Sequence, residues 1–153
     1  MYLTNTKIEE NSAINFPLEE YHAGAAVLFL GKVRDHSQGK QVLYLEYEAY
    51  EAMAEQMIQE LINKAKALWP VDQVRVQHRL GKVGLGEIAV LIEVQSAHRD
   101  EAYQASRFLI EEIKHKVPIW KKEYFADGTS AWGVCRHEPA GTMQPSKSAG
   151  AGC

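Results

Sequence analysis

The chain alternates between two hydrophobic periods. Residues 24 to 34, GAAVLFLGKVR, are β-rich and nearly all apolar at their start, which predicts a central strand. Gly39 precedes a second run, Val42 to Tyr50. There Leu43, Leu45, Tyr47 and Ala49 alternate with Tyr44, Glu46 and Glu48, the pattern of a half-buried strand. The two runs, joined by DHSQGK, read as a hairpin with a longer loop. A helix is predicted from about Glu51 to Leu68, because Ala54, Met57, Ile58, Leu61, Ile62, Ala65 and Leu68 form one stripe at three- and four-residue steps. Pro70 stops it. Gln73 to Leu80 puts Val74, Val76, His78 and Leu80 on one side. A glycine-punctuated turn, GKVGLGE, leads to Glu87–Gln95, where Ile88, Val90, Ile92 and Val94 alternate; this is a second hairpin. A second helix is predicted from about Arg99 to Lys116. Asp100 and Glu101 lie in its first turn and Lys114 and Lys116 in its last, matching the helix dipole, and Pro118 follows. PIWKKEYF and AWGVCRH then read as two short strands around ADGTS.

The order ββαββαββ, with hairpins in place of strict βαβ alternation, argues for an α+β fold: a mostly antiparallel sheet with two main helices packed on it. The 153 residues suit one domain, and the 46% apolar and 24% charged composition is that of a globular chain. From Ala140 the sequence AGTMQPSKSAGAGC is too poor in large apolar residues to offset its ordering entropy, so 140–153 is expected to be a disordered tail and 1–139 the single domain. No apolar run is long enough to cross a bilayer, and the first fifteen residues lack the apolar core of a signal peptide. Two cysteines, Cys135 and Cys153, make no disulfide framework, which suits the cytoplasm. A net charge of −3 gives no global case for nucleic acid or an anionic membrane, so any anion site must be local.

Four stretches carry polar residues that the fold does not demand. Lys32-Val33-Arg34-Asp35-His36 ends an apolar strand; either the strand end is merely solvated, or Arg34 emerges at the rim to grip a phosphate or carboxylate. In Ser96-Ala97-His98-Arg99 the unpaired N–H groups of a helix start attract anions. Arg99 there opposes the dipole, which suggests that it serves something outside the helix. Between Lys114 and Lys121 the chain reverses at Pro118, so the two amines can converge. Crowded and partly desolvated by Trp120 and Ile119, they would depress each other's pKa and serve as general acid/base or nucleophile. The plainer reading is that Lys114 and Lys116 cap a helix dipole and Lys121 is solvated. Val134-Cys135-Arg136-His137 matches no zinc spacing, and Cys135 reads as a packed residue. His78, in an apolar register, reads as a hydrogen-bonded core histidine. GKVGLG is a turn rather than a phosphate loop, since no helix follows it.

GAAVLFLGKVRDH, LEYEAYEAMAEQM, LWP, VQHRLGKVGLGE, VQSAHRDEAY and above all KHKVPIWKKEYF resemble the large, catalytic subunit of molybdopterin synthase, the MoaE family, over roughly Pro17 to Glu138. The stretch between Leu18 and Gly24 is shorter than in many members. The resemblance implies an α/β-hammerhead fold and insertion of two sulfurs into cyclic pyranopterin monophosphate, forming the molybdopterin dithiolene. It implies a small ubiquitin-like sulfur-carrier subunit (the MoaD type) whose thiocarboxylated Gly-Gly tail threads into the large subunit. It also implies a homodimer at the centre of a heterotetramer. Carried over by position, Lys114 and Lys121 match the family's two essential lysines. Lys32, Val33 and Arg34 match its strand-end substrate contacts, and Lys122 and Glu123 continue the Lys121 segment. His98 and Arg99 match its anion-binding turn, which this family can donate across the dimer. Arg136 matches a late basic position assigned to contact with the partner's tail. No cofactor and no metal is implied, because the partner brings the sulfur. Two other classes compete: a non-catalytic scaffold that only docks a ubiquitin-like protein, and an RNA-binding module suggested by Trp120, Tyr124 and Phe125 among Lys121 and Lys122.

Overall fold

The computed structural model describes residues 1–12 and 22–133. The expected domain end at Pro139, the tail 140–153, and Cys135, Arg136 and His137 lie outside the described residues.

Nine strands and two long helices are laid down in the order β1 (Leu3–Thr4), a 3-10 turn (Glu10–Ser12), β2 (Ala25–Lys32), β3 (His36–Ser37), β4 (Lys40–Ala49), α1 (Glu51–Leu68), β5 (Val71–Arg79), β6 (Gly81–Gly84), β7 (Ile88–Ser96), α2 (Arg99–Lys116), β8 (Ile119–Phe125) and β9 (Ser130–Gly133) among the described residues. Both helices span the residues that the apolar stripes predict. In α1, Ala54, Ile58, Leu61, Ile62 and Ala65 are buried, while Met57 is half-buried and Leu68 exposed. In α2 the buried face is Ala102, Ala105, Ser106, Leu109 and Ile113. Acidic side chains in its first turn and basic ones in its last favour this helix electrostatically.

The strands form two sheets. One has the order β1-β5-β7-β2, and the other β3-β4-β8-β9 with β6 also on β4. All described pairings are antiparallel except β1 on β5. The larger core lies between the helices and the first sheet, where Val76, Val90, Ile92 and Val94 meet Ile58, Ile62, Leu109 and Ile113. This is the α+β arrangement expected, two helices on a mostly antiparallel, curled sheet.

Three expectations about the strands need correction. First, β2 and β4 do not form a hairpin with each other: β2 pairs with β7, and β4 with β8 and β6. Between them the chain makes its own tight hairpin, β3 on β4, with Gln38 and Gly39 both at positive φ. That tight turn takes up residues that would otherwise join β2 to β4, and it aims β4 into the second sheet. Second, the fully buried strand is β7, and β2 lies at the edge of its sheet among the described residues. Third, the glycine-punctuated turn folds in part as β6. The register of β4 also shifts between Val42 and Tyr44, so Val42 is buried and Leu43 is left 48% exposed. The β5–β7 and β8–β9 hairpins are found as expected.

His78 is the core histidine its register suggests. Its Nδ1 lies 2.8 Å from the Arg79 carbonyl oxygen, and burial pushes its pKa down from 6.5 to about 4. A base whose folded value lies below its unfolded one leaves the unfolded chain with more bound protons between the two. Stability therefore rises with pH across that window and is lost as pH falls from about 6.5 to about 4. His78→Gln, which cannot titrate, should lack this component. Urea unfolding at pH 7 and pH 4 should show wild type losing on the order of 3 kcal/mol more than the variant.

Candidate active site

Residues from eight elements converge on one cavity between the C-terminal half of α2 and the two sheets, β7 contributing Ala89 and Val90. It is lined by Lys32 and Arg34 from the end of β2, His36 and Ser37 from β3, and Leu45 and Tyr47 from β4. His78 from β5, Ile113 and Lys114 from α2, Ile119, Lys121 and Glu123 from β8, and Gly133 from β9 complete the polar and apolar wall. The sequence dictates this convergence locally. Pro118 ends α2 one turn after Lys114 and sends the chain back as a strand. Residues two apart on a strand share a face, so Ile119, Lys121 and Glu123 point together into the cavity.

The electrostatics follow from that packing. Lys114 is half-buried, and its pKa is lowered from the usual 10.5, first by desolvation, then by the positive charges of Lys121 and Arg34. Both neighbouring cations therefore act on Lys114 across the same space. Lys121 is buried, with Nζ 3.4 Å from Oε1 of Glu123, itself buried. Across the β4–β8 ladder Lys121 faces Tyr47, whose ring stands edge-on to His78 with centroids 5.0 Å apart. Burial, and then the nearby Glu123 carboxylate, raise the Tyr47 phenol to about 12, so it keeps its proton. Gly133 pairs with Lys121 on the other side, where a Cβ would lie 3.2 Å from the lysine Cε; glycine leaves the lysine stem its room.

The predicted site residues divide into five groups. Lys32, Arg34, Lys114, Lys121 and Glu123 line the cavity. Val33 stands between two of them but turns the other way, into a small core with Val42, Leu45, Val83 and Phe125. Lys122 is on the opposite face of β8 from Lys121, its ammonium 5.1 Å from the Tyr124 ring centroid and 5.4 Å from that of Trp132. Trp120 shares that outer face, packed edge-on to Tyr50, so Ile119 and not Trp120 helps desolvate the lysines. His98 and Arg99 are exposed and border a separate shallow groove with Gly24, Ala25, Ala97 and Asp100. They sit at the far end of α2: fifteen residues at about 1.5 Å each put Arg99 ~22 Å from Lys114 along the helix axis. Arg136 lies outside the described residues.

Tyr47, His36, Ser37 and His78 also line the cavity, and sequence reasoning did not place them there. Tyr47 and His78 carried one usable signal, a polar tip in an otherwise apolar register. His36 and Ser37 carried none, since their position depends on the β3–β4 turn. No cluster of three or more His, Cys, Asp or Glu side chains suited to a metal is present among the described residues. No helix among the described residues is long and apolar enough to cross a membrane.

The model of the MoaE protein family matches residues 3–116. The molybdopterin synthase catalytic subunit of Nostoc is 42% identical over 143 residues, covering 84% of this chain and 87% of its own. That of Bacillus subtilis is 43% identical over 126 residues, covering 82% and 80%. Among solved structures, molybdopterin synthase from Staphylococcus aureus superposes with a TM-score of 0.79 at 40% identity, covering 86% of this chain and 95% of its own. A Helicobacter pylori chain, in a complex of subunits 1 and 2 of molybdopterin-converting factor, superposes with a TM-score of 0.72 at 25% identity, covering 90% and 92%. By family model and by relatives across most of its length, the chain belongs to the MoaE protein family.

Proposed function

We propose that this chain is the catalytic subunit of a molybdopterin synthase, a sulfurtransferase of the cytoplasm. In this reading it moves two sulfurs from the thiocarboxylated C-terminus of a small ubiquitin-like subunit to cyclic pyranopterin monophosphate. The observation that carries the reading is the meeting of Arg34, Lys114 and Lys121 in one cavity, in a chain whose relatives bear that name. The substrate's phosphate and the partner's tail are anions, and crowded, partly desolvated cations are what such ligands relieve. Each sulfur entry demands proton transfers as oxygen leaves. Lys114, with its proton held less tightly than on an ordinary lysine, suits that exchange, and Lys121 faces the same space. The paired Glu123 keeps Lys121 oriented and charged-group spacing fixed. A scaffold that only docks a ubiquitin-like protein has no use for two buried-facing lysines and an arginine, which weighs against that alternative.

His98 and Arg99 enter this scheme from a second copy. They lie too far along α2 to reach their own chain's cavity, so a two-fold dimer that sets one protomer's α2 start beside its partner's cavity would complete the site.

Two experiments test the reading. Incubation with cyclic pyranopterin monophosphate and a thiocarboxylated small subunit should yield the dithiolene product. Lys121→Ala should reduce the rate by at least about a hundredfold, the scale of one lost acid–base group, with the dimer intact by size-exclusion chromatography. Robust turnover by that variant would discard the assignment. For the shared site, Arg99→Ala and Lys121→Ala proteins, each nearly inactive, should regain roughly a quarter of wild-type activity once their subunits exchange at random in the dimer. No recovery would place Arg99 at its own chain's site or at none.

A further inference from the structure

The cations account for an anionic ligand, but they leave the polar groups beside them unexplained. His78 and Glu123 both line it and are more than nine-tenths buried, at 7% and 6% exposure. The Arg79 carbonyl oxygen can only accept a hydrogen bond, so His78 Nδ1, 2.8 Å away, carries the ring proton. Burial, and then the nearby Lys114 charge, keep the imidazole neutral, so Nε2 is left as the acceptor nitrogen of the ring. Glu123 engages Lys121 through Oε1. Its Oε2, shielded from bulk solvent, has no hydrogen-bond partner among the described residues. A ligand that expels water from this cavity must bring donors to both acceptors or leave them stranded, with the full desolvation cost unreturned. Tyr47, still protonated, stands edge-on to the His78 ring in the same wall and gives Glu123 Oε2 no hydrogen bond.

We propose that His78 Nε2 and Glu123 Oε2, acceptors on two residues of the same cavity wall, read N–H donors on the bound ligand, with His78 as a specificity-determining residue. This rests on the synthase reading above. Two parts of the ligands in that reading carry such donors: the last peptide amide of a Gly-Gly tail, and the amino group of a pterin ring.

Calorimetric titration of the full-length protein with two pairs of probes tests it. One pair is a peptide ending in Gly-Gly and the same peptide ending in Gly-sarcosine, whose last amide has no N–H. The other is pterin-6-carboxylate and lumazine-6-carboxylate, in which an oxo group replaces the 2-amino donor. Wild type should prefer the donor-bearing member of at least one pair by about tenfold. His78→Leu should abolish that preference, and His78→Gln, which returns an acceptor near the Nε2 position, should restore it. His78→Asn can still donate to the Arg79 carbonyl but reaches no further, so it should behave as His78→Leu does and guards against a folding defect in the latter. The pair that loses its preference identifies which donor is read. Absence of any preference in wild type, or the same preference in His78→Leu and His78→Asn, overturns this proposal alone. Failure of wild type to bind any of the four probes overturns it together with the synthase reading.

Discussion

Like charges held together in a partly desolvated space are costly, and a fold keeps them only where something else needs them. Here a helix end, a strand end and the strand after a proline turn bring Lys114, Arg34 and Lys121 to one cavity. Glu123 offsets part of the repulsion through its contact with Lys121. In the proposed scheme an anionic ligand from outside completes the cavity electrostatically. Much else in the molecule serves this arrangement: Pro118 reverses the chain, Gly133 makes room for the lysine stem, and the β3–β4 turn sets His36 and Ser37 in the wall.

α2 acts as a ruler in the same design. Its basic C-terminal turn lies at the cavity and its N-terminal residues His98 and Arg99 at a separate groove. A rigid helix of 18 residues cannot fold those ends together. Any chemistry that uses both ends has to be shared between chains, and this makes assembly a condition of activity in the proposed scheme.

The helices were legible in the sequence because their signals are local. An apolar stripe, charges matched to the dipole and a proline stop place Glu51–Leu68 and Arg99–Lys116. Strand pairing was only half legible, because it depends on residues far apart in the chain. Nothing near residues 24–50 announces that β2 will pair with β7 instead of β4. At the site, the proline turn made the Lys114–Lys121 convergence conceivable, but spacing alone did not decide it against plain capping of the helix dipole. The division of Lys121 from Lys122 and Trp120 follows from strand alternation, and it needed only the choice of which face meets the helix. His78 was rightly assigned to the core, yet a core position at the edge of a cavity is also a wall position, and only the packing of β5 against α2 reveals that.

The mutual influence of the cavity's cations is most directly read from Lys114 itself. With 13C-labelled lysine, the Lys114 side-chain resonance can be followed by NMR as pH is raised, in wild type and in Lys121→Met. The account predicts that the wild-type amine titrates below the usual 10.5 and that its midpoint moves upward once the charge at position 121 is gone. A wild-type midpoint at the ordinary lysine value, unmoved by Lys121→Met, would contradict it.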